Sequence, residues 1–286
     1  MRTTFSLVGI IVFIFILAAI PMSLTITNGD LSIHFQAILD LIKNYVAGVF
    51  NGDSFLYIEG KNRTYNLAQD LPAYFGTSFL YLLLAGFLTV CIGMAISAWH
   101  SKSKKEWAKD IIGFLGTIPD FILVLFLQIS VVFIYQTTGF KLARIASRST
   151  DDNAFLLPLI TLIIVPTIYL IRTLSERTYD VLAEDYILTA KAKGLKKRYI
   201  FIHHVVRNVI PYLKADLHKV IAIMMSNLFI VEYLFNLRGI TSILFSGMYQ
   251  YNLVVNTLFS LVILYLLIYW CIRILIILME RVFAHD

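Results

Sequence analysis

The chain has 286 residues, 59% of them hydrophobic and only 15% charged, with a formal net charge of +6 and a mean hydropathy of +0.78. That is too little polar sequence to coat a soluble domain of this size, and the apolar residues fall in blocks long enough to cross a bilayer. The composition excludes an ordinary water-soluble enzyme, and Cys91 and Cys271, both inside apolar blocks, give neither a disulfide framework nor metal-ligand spacing.

In chain order, the first expected span is residues 5–24, which follows Arg2 and carries no charge. A secretory signal peptide is the competing reading, but Pro21 and Met22 follow without a good small-x-small cleavage site. Residues 25–73 are polar and mixed and read as a small extracytoplasmic cap, with an amphipathic helix predicted over 34–49 from the spacing of Phe35, Ile38, Leu39, Ile42, Tyr45 and Val46. The second span, 74–99, contains Gly76, Gly86 and Gly93, which permit close helix approach. A short basic loop with Lys102, Lys104, Lys105 and Lys109 leads to a third span over 111–135. Gly116 and Pro119 lie inside that span, and the proline is expected to bend the helix, either as a packing kink or as a pathway-lining one.

The loop 136–154 carries Lys141, Arg144 and Arg148 against Asp151 and Asp152. A fourth span over 155–171 holds Pro158 and Pro166, and a long charged stretch runs from there to Lys219. The fifth span is 220–234, or begins already near Leu213, and the sixth is 257–279. The loop between them, 235–256, contains Arg238, Gly239 and Gly247. The expected fold is therefore an all-α polytopic membrane protein with a first span at 1–24, a cap at 25–73, and a core over 74–286 that contains five spans and the charged loop 172–219. Lys and Arg alternate between loops, with four in 100–110 and ten in 172–219 but one in 235–256. This bias places both termini and the two basic loops in the cytoplasm.

The stretch 184–211, EDYILTAKAKGLKKRYIFIHHVVRNVIP, is the most informative. Residues 182–193 read as a helix with acidic Glu184 and Asp185 in its early turns and Lys191 and Lys193 in its last, which complements the helix dipole. Gly194 stands where a glycine ends such a helix by adopting φ > 0. A basic cluster, Lys196, Lys197 and Arg198, follows and suits either anionic headgroups or a protein partner. A second amphipathic half, 199–210, is closed or redirected by Pro211.

Asp185, Tyr186, Thr189, Ala190, Ala192, Lys193, Gly194, Leu195, Arg207, Asn208 and Pro211 together resemble the cytoplasmic EAA-type loop of binding-protein-dependent ABC importer permeases, most of all the oligopeptide/dipeptide (OppB/DppB-type) branch. Three further pieces agree in order: Gly116-Thr117-Ile118-Pro119-Asp120-Phe121, Leu157-Pro158-Leu159-Ile160-Thr161-Leu162, and Val231-Glu232-Tyr233-Leu234-Phe235 followed by Gly239. Leu188 stands where glutamate or arginine is usual, and Arg238 replaces a proline.

The resemblance implies a MetI-like permease of six transmembrane helices in the cell membrane of a bacterium or archaeon. It implies a second permease subunit, two cytoplasmic ATPases that bind ATP and Mg, and an extracytoplasmic solute-binding protein that delivers a peptide, nickel, a metallophore or a similar ligand. Helix 182–194 would be the coupling helix, with Glu184, Asp185, Tyr186, Thr189, Ala190, Lys193, Gly194, Arg207 and Asn208 serving the ATPase contact. No cofactor is expected in the chain itself, which lacks a GxxxxGK[ST] phosphate loop.

Pathway or gate candidates are Pro119, Gln128, Pro166, Asn227, Glu232 and Arg238. Glu232 reads either as a gating carboxylate or as one facing interfacial water, and Gln128 and Asn227 either bond neighbouring helices or touch solute. His203, His204 and His218 read as interfacial polar residues rather than metal ligands, since adjacent histidines on a helix diverge by about 100°. No catalytic constellation is found. Two other functions stay open: a secondary transporter, disfavoured by the scarcity of mid-span charge, and a transport-inactive scaffold or sensor with the same architecture.

Overall fold

The structure is a computed structural model and describes residues 2–27, 30–59, 63–100, 106–147 and 154–284. Lys102, Lys104, Lys105, Arg148, Asp151 and Asp152 lie outside the described residues. Among the described residues, five helical stretches are long and apolar enough to cross a membrane: Leu67–Ser97, Asp120–Thr138, Leu156–Ala183, Ile200–Leu234 and Tyr251–Arg281. The apolar part of the first helix, Leu7–Ser23, is shorter. The chain forms two compact units, Met1–Ser78 with Arg238–Leu264, and Phe79–Leu237 with Tyr265–Asp286.

In the first unit, α1 (Arg2–Ser23) is followed by an antiparallel hairpin of β1 (Leu24–Thr27) and β2 (Asp30–Ile33), then α2 (Phe35–Asn51). A second hairpin pairs β3 (Leu56–Glu59) with β4 (Arg63–Asn66). The purely α expectation therefore fails here. β1 and β2 alternate leucine or isoleucine with polar residues, a period that suits strands and not helices, whereas β3 and β4 are rich in β-branched and aromatic residues without that alternation. The amphipathic helix expected at 34–49 is present as α2. Its apolar face closes a core of Ile14, Ala18, Ala19, Tyr45, Tyr251, Val254 and Val255, edged by Phe15–Tyr45 and Phe15–Phe259 ring contacts.

Buried polar groups in this unit are paired in a closed circuit. The Tyr45 hydroxyl donates to Asn256 Oδ1 (2.7 Å), Asn256 Nδ2 donates to the Ser54 carbonyl (2.7 Å), and the Ser54 hydroxyl donates to the Tyr45 carbonyl (2.7 Å). Gln250 clamps β3 by accepting from Ile58 N and donating to Ile58 O, each at 2.7 Å. These bonds fix α2 and β3 to the first turns of α11 (Tyr251–Ala284) and the residue before it.

In the second unit, α6 (Leu156–Ala183) and α9 (Arg207–Leu234) pack along their length. They run antiparallel, since Asn227 meets Thr161 while Asp216 and Lys219 meet Tyr169. Leu162, Leu170, Leu174, Leu213, Leu217, Ile221 and Met224 form the buried seam. Lipid is as apolar as these side chains, so close packing rather than water exclusion holds the seam within the bilayer. Small residues allow that closeness: a Cβ on Gly86 of α3 (Leu67–His100) would overlap the Ile272 side chain, and one on Gly93 would press on Leu170. Gly76, expected to serve the same purpose, faces open space.

Several sequence boundaries need correction. The third span is not one bent helix. It breaks into α4 (Glu106–Leu115) and α5 (Asp120–Thr138), and Pro119 stands at the N-cap of α5 with φ −60° and ψ 141°. Proline lacks the N–H that an interior turn needs but fits a helix start, so Gly116–Pro119 makes a corner. The fourth span runs on to Ala183, because residues 172–183 contain no breaker. At 28 residues α6 is about 42 Å long, against a hydrocarbon core of about 30 Å, so its charged last turns project beyond the bilayer. Pro211 neither ends nor redirects a helix. It lies inside α9, after a π-helical segment Ile200–Val206 that follows the short α8 (Lys197–Tyr199). The wide turn precedes the point where the missing Pro211 N–H would leave the Arg207 carbonyl unbonded, a usual setting for a π-bulge. The 235–256 loop contains a short helix, α10 (Ile240–Ser246).

Candidate coupling helix and pathway residues

The helix expected at 182–193 is shorter, α7 (Asp185–Ala192), because Leu182 and Ala183 belong to α6. Glu184 is the joint between the two helices, extended at φ −68° and ψ 146°. Its carbonyl accepts from Ile187 N at 3.0 Å, which starts α7, and its N–H donates to Val181 O at 3.3 Å, which ends α6. The far end closes as expected. Gly194 has φ +74°, its N–H bonds the Lys191 carbonyl (3.0 Å), and Leu195 N bonds the Ala190 carbonyl (3.3 Å). These are the 5→2 and 6→1 bonds of a Schellman cap, and they satisfy carbonyls that the end of the helix leaves open. Acidic Asp185 in the first turn and basic Lys191 in the last complement the dipole.

Only one side of α7 is anchored. Ile187 is 0% and Ala190 5% exposed, while Asp185, Leu188, Thr189, Lys191, Ala192, Lys193 and Gly194 are open to solvent. The anchor includes a hydrogen-bonded tether. Asn208 Nδ2 donates to the Tyr186 hydroxyl (3.1 Å) and to the His204 carbonyl in the π-helical segment (2.6 Å). Burial raises the Tyr186 phenol above its ordinary value and the Glu184 carboxylate adds to the shift, so the hydroxyl stays neutral. Arg207, paired with Asn208 in the motif, is exposed beside it. The rings of His203 and His204 instead pack around Tyr199, at centroid distances of 4.2 and 6.2 Å.

Five of the six pathway candidates lie in the second unit and Arg238 in the first. Gln128 ties two segments to α5, its Nε2 donating to Ile145 O (3.3 Å) and Leu234 O (3.2 Å). Asn227 is wholly buried, donates to Thr161 O (3.2 Å) and has an Oδ1 with no hydrogen-bond partner. Pro166 is buried within α6, and Glu232 is 1% exposed, its carbonyl accepting from Leu237 N at 2.9 Å. Pro119 is exposed at the corner, and Arg238 is exposed in the other unit.

A cleft of about 380 Å³ opens between the Leu115–Asp120 corner and α6, lined by Gly116, Ile118, Asp120, Val165, Ile168, Tyr169, Arg172, Thr173 and Glu176. Its walls carry charges of both signs. Lys219 Nζ sits 4.6 Å above the Tyr169 ring, and the Tyr169 hydroxyl lies 3.5 Å from Asp216 Oδ1. The sequence reading passed over Asp120, Tyr169 and Arg172 as pathway residues. Their available signal was position, with Asp120 directly after the Gly-Thr-Ile-Pro corner and Arg172 on the first turn past the expected end of the fourth span.

Residues 88–286 match a family described as "Binding-protein-dependent transport system inner membrane component". Among curated proteins, the chain is 28% identical over 175 residues to the dipeptide transport system permease protein DppB of Bacillus subtilis, covering 60% of this chain and 54% of that protein. It is 25% identical over 203 residues to the DppB of Lactococcus lactis, covering 68% and 63%. It is 22% identical over 200 residues to the metal-staphylopine import system permease protein CntB of Staphylococcus aureus, covering 69% and 62%. The matches thus span between about half and less than two thirds of these relatives. With the family match covering more than two thirds of its length and running through the corner, α7 and the tether, this chain belongs to the family of binding-protein-dependent transport system inner membrane components, as a multi-pass protein of the cell membrane.

Proposed function

We propose that the chain is one permease subunit of an ATP-driven importer of the oligopeptide/dipeptide branch, forming half of a translocation pathway for peptides or for metal-containing ligands of similar size. The observation that carries this reading is α7: eight residues, about 12 Å long, closed at its C-terminal end by a Schellman cap, anchored on one side and solvent-exposed on the other. Such an element suits insertion into a groove of a soluble partner and transmits force through α6 and the Asn208 tether rather than bending.

In this reading α1 is the first of six spans, residues 25–73 form an extracytoplasmic cap, and 74–286 form the permease core. Both termini face the cytoplasm. Two ATPase subunits seat the α7 helices of this chain and of a second permease, and an extracytoplasmic binding protein delivers solute. The chain has no phosphate-binding loop, so the partners hold ATP and Mg. Moving a two-state gate from 1:99 to 99:1 needs about 5.5 kcal/mol, within the reach of nucleotide binding by two ATPases.

The cleft between Asp120 and Arg172 is proposed as the inner part of the pathway. Its carboxylates and guanidinium match the paired charges of a peptide zwitterion. The test is reconstitution of the assembled importer and measurement of solute uptake alongside ATP hydrolysis. Gly194→Pro is expected to abolish uptake while membrane insertion persists. Uptake that persists without any ATPase, driven by a proton gradient, would overturn the proposal.

A further inference from the structure

An arginine held among aromatic rings lies outside α7 and the cleft, where α9 meets the second half of α11. The His218 ring stacks on the Tyr269 ring at 4.2 Å and 13°. Its Nδ1 lies 2.7 Å from the Tyr265 hydroxyl. On the same helix, Arg273 donates from an η nitrogen to the Tyr269 hydroxyl (2.9 Å) and lies 5.6 Å from the Tyr269 centroid and 5.5 Å from that of Trp270. Tyr269 is thus held between a histidine ring and a guanidinium.

The setting makes this arrangement costly unless something completes it. Arg273 lies inside the expected sixth span and inside a helix long and apolar enough to cross a membrane. It is exposed, and its exposed neighbours Trp270 (55%) and Ile274 (53%) are apolar. No carboxylate among the described residues forms an ion pair with it. The nearest acid along the helix, Glu280, is already paired with Lys214. An arginine on an apolar face at membrane depth is unfavourable unless its charge meets an anion or water. One hydrogen bond to Tyr269 leaves four of its five N–H donors to be satisfied. Glu280 is seven residues further on, about 10 Å along the axis, a distance that an arginine side chain and a lipid headgroup bridge together.

We propose that His218, Tyr269, Trp270 and Arg273 form a binding site for the phosphate of an anionic phospholipid. Arg273 supplies charge-assisted N–H donors in the fork geometry that suits phosphate oxygens. Tyr269 and His218 hold the guanidinium in place, and Trp270 packs beside the glycerol and upper acyl chain, the interfacial role common to tryptophan. Placement in the inner leaflet rests on the orientation proposed above, whereas binding in micelles does not, so a failed uptake assay and a failed lipid assay are distinguishable.

The test is native mass spectrometry of the purified full chain in mixed micelles with phosphatidylglycerol or phosphatidylcholine. The wild-type chain is expected to retain phosphatidylglycerol in preference. Arg273→Gln is expected to reduce that retention about tenfold, the effect of losing one charge-assisted contact. Arg273→Lys is expected to fall between the two, and Tyr269→Phe, which keeps the ring and removes the hydroxyl, to reduce retention less than Arg273→Gln. Should Arg273→Gln fail to fold, the Lys and Phe variants carry the test. Equal retention of the two lipids, or unchanged retention in these variants, overturns the proposal. Displacement by millimolar inorganic phosphate overturns the lipid assignment and leaves a free-anion site.

Discussion

Substitution at Gly194 isolates the C-terminal cap of α7, the proposed coupling helix. Nothing lies within 4 Å of a Cβ built there, so an added side chain meets no neighbour and the whole cost is backbone conformation at φ +74°. For alanine that conformation costs about 1–2 kcal/mol, offset by about 0.4–1 kcal/mol from a stiffer unfolded chain. A net loss of about 1 kcal/mol in local cap stability is expected. Asparagine, which visits this region more readily, should lose less, and β-branched valine more. The readout is amide hydrogen exchange of Gly194 and Leu195 in the assembled importer, since their N–H groups close the cap on Lys191 and Ala190. A loss of about 1 kcal/mol accelerates exchange roughly fivefold if the cap opens locally. Uptake per ATP hydrolysed should fall in the same order. Equal exchange in the glycine, asparagine, alanine and valine chains would refute the reasoning, because it would mean that the left-handed residue does not limit opening.

The tether makes a second prediction: Asn208→Leu and Tyr186→Phe should each loosen α7 by about 1 kcal/mol, and the double variant should cost little more than either single one, as checked by a double-mutant cycle on solute-stimulated ATP hydrolysis. Packing makes a third: Gly86→Leu should destabilise the α3 contact with α11 by about 1–3 kcal/mol through overlap with Ile272, read as a lowered thermal unfolding midpoint, while Gly76→Ala, in open space, should change it little. In the cleft, Arg172→Gln should lower solute uptake severalfold without weakening ATPase binding in pull-down, because Arg172 lines the cleft on α6 rather than standing on α7. Loss of ATPase binding in that variant would move Arg172 from the pathway to the coupling contact.

Much of the fold and of the geometry of α7 was legible in the sequence because it rests on local physics. Span length, the acidic-to-basic polarity of α7 and the left-handed glycine at Gly194 follow from a bilayer's thickness, a dipole and the absence of a Cβ. The two hairpins were less legible: only the first alternates apolar and polar residues, and the segment's polarity drew attention to its helix alone.

The remaining features depend on residues distant in sequence. Whether Gln128, Asn227 and Glu232 face a pathway or a neighbour is decided by what packs beside them, and the structure buries Asn227 and Glu232 and spends Gln128 on two backbone carbonyls. The division between α6 and α7 at Glu184 follows from anchoring Ile187 and Ala190, since the local sequence would allow one continuous helix. The tether joins residues 22 apart, and the aromatic ladder joins residues 47 and more apart. Periodicity and motif spacing therefore determined which segments are long and apolar enough to cross a membrane and which one forms a short, exposed, charged helix. Tertiary packing alone decided which polar side chains are consumed in holding helices together and which, such as Arg172 and Arg273, remain exposed to meet something else.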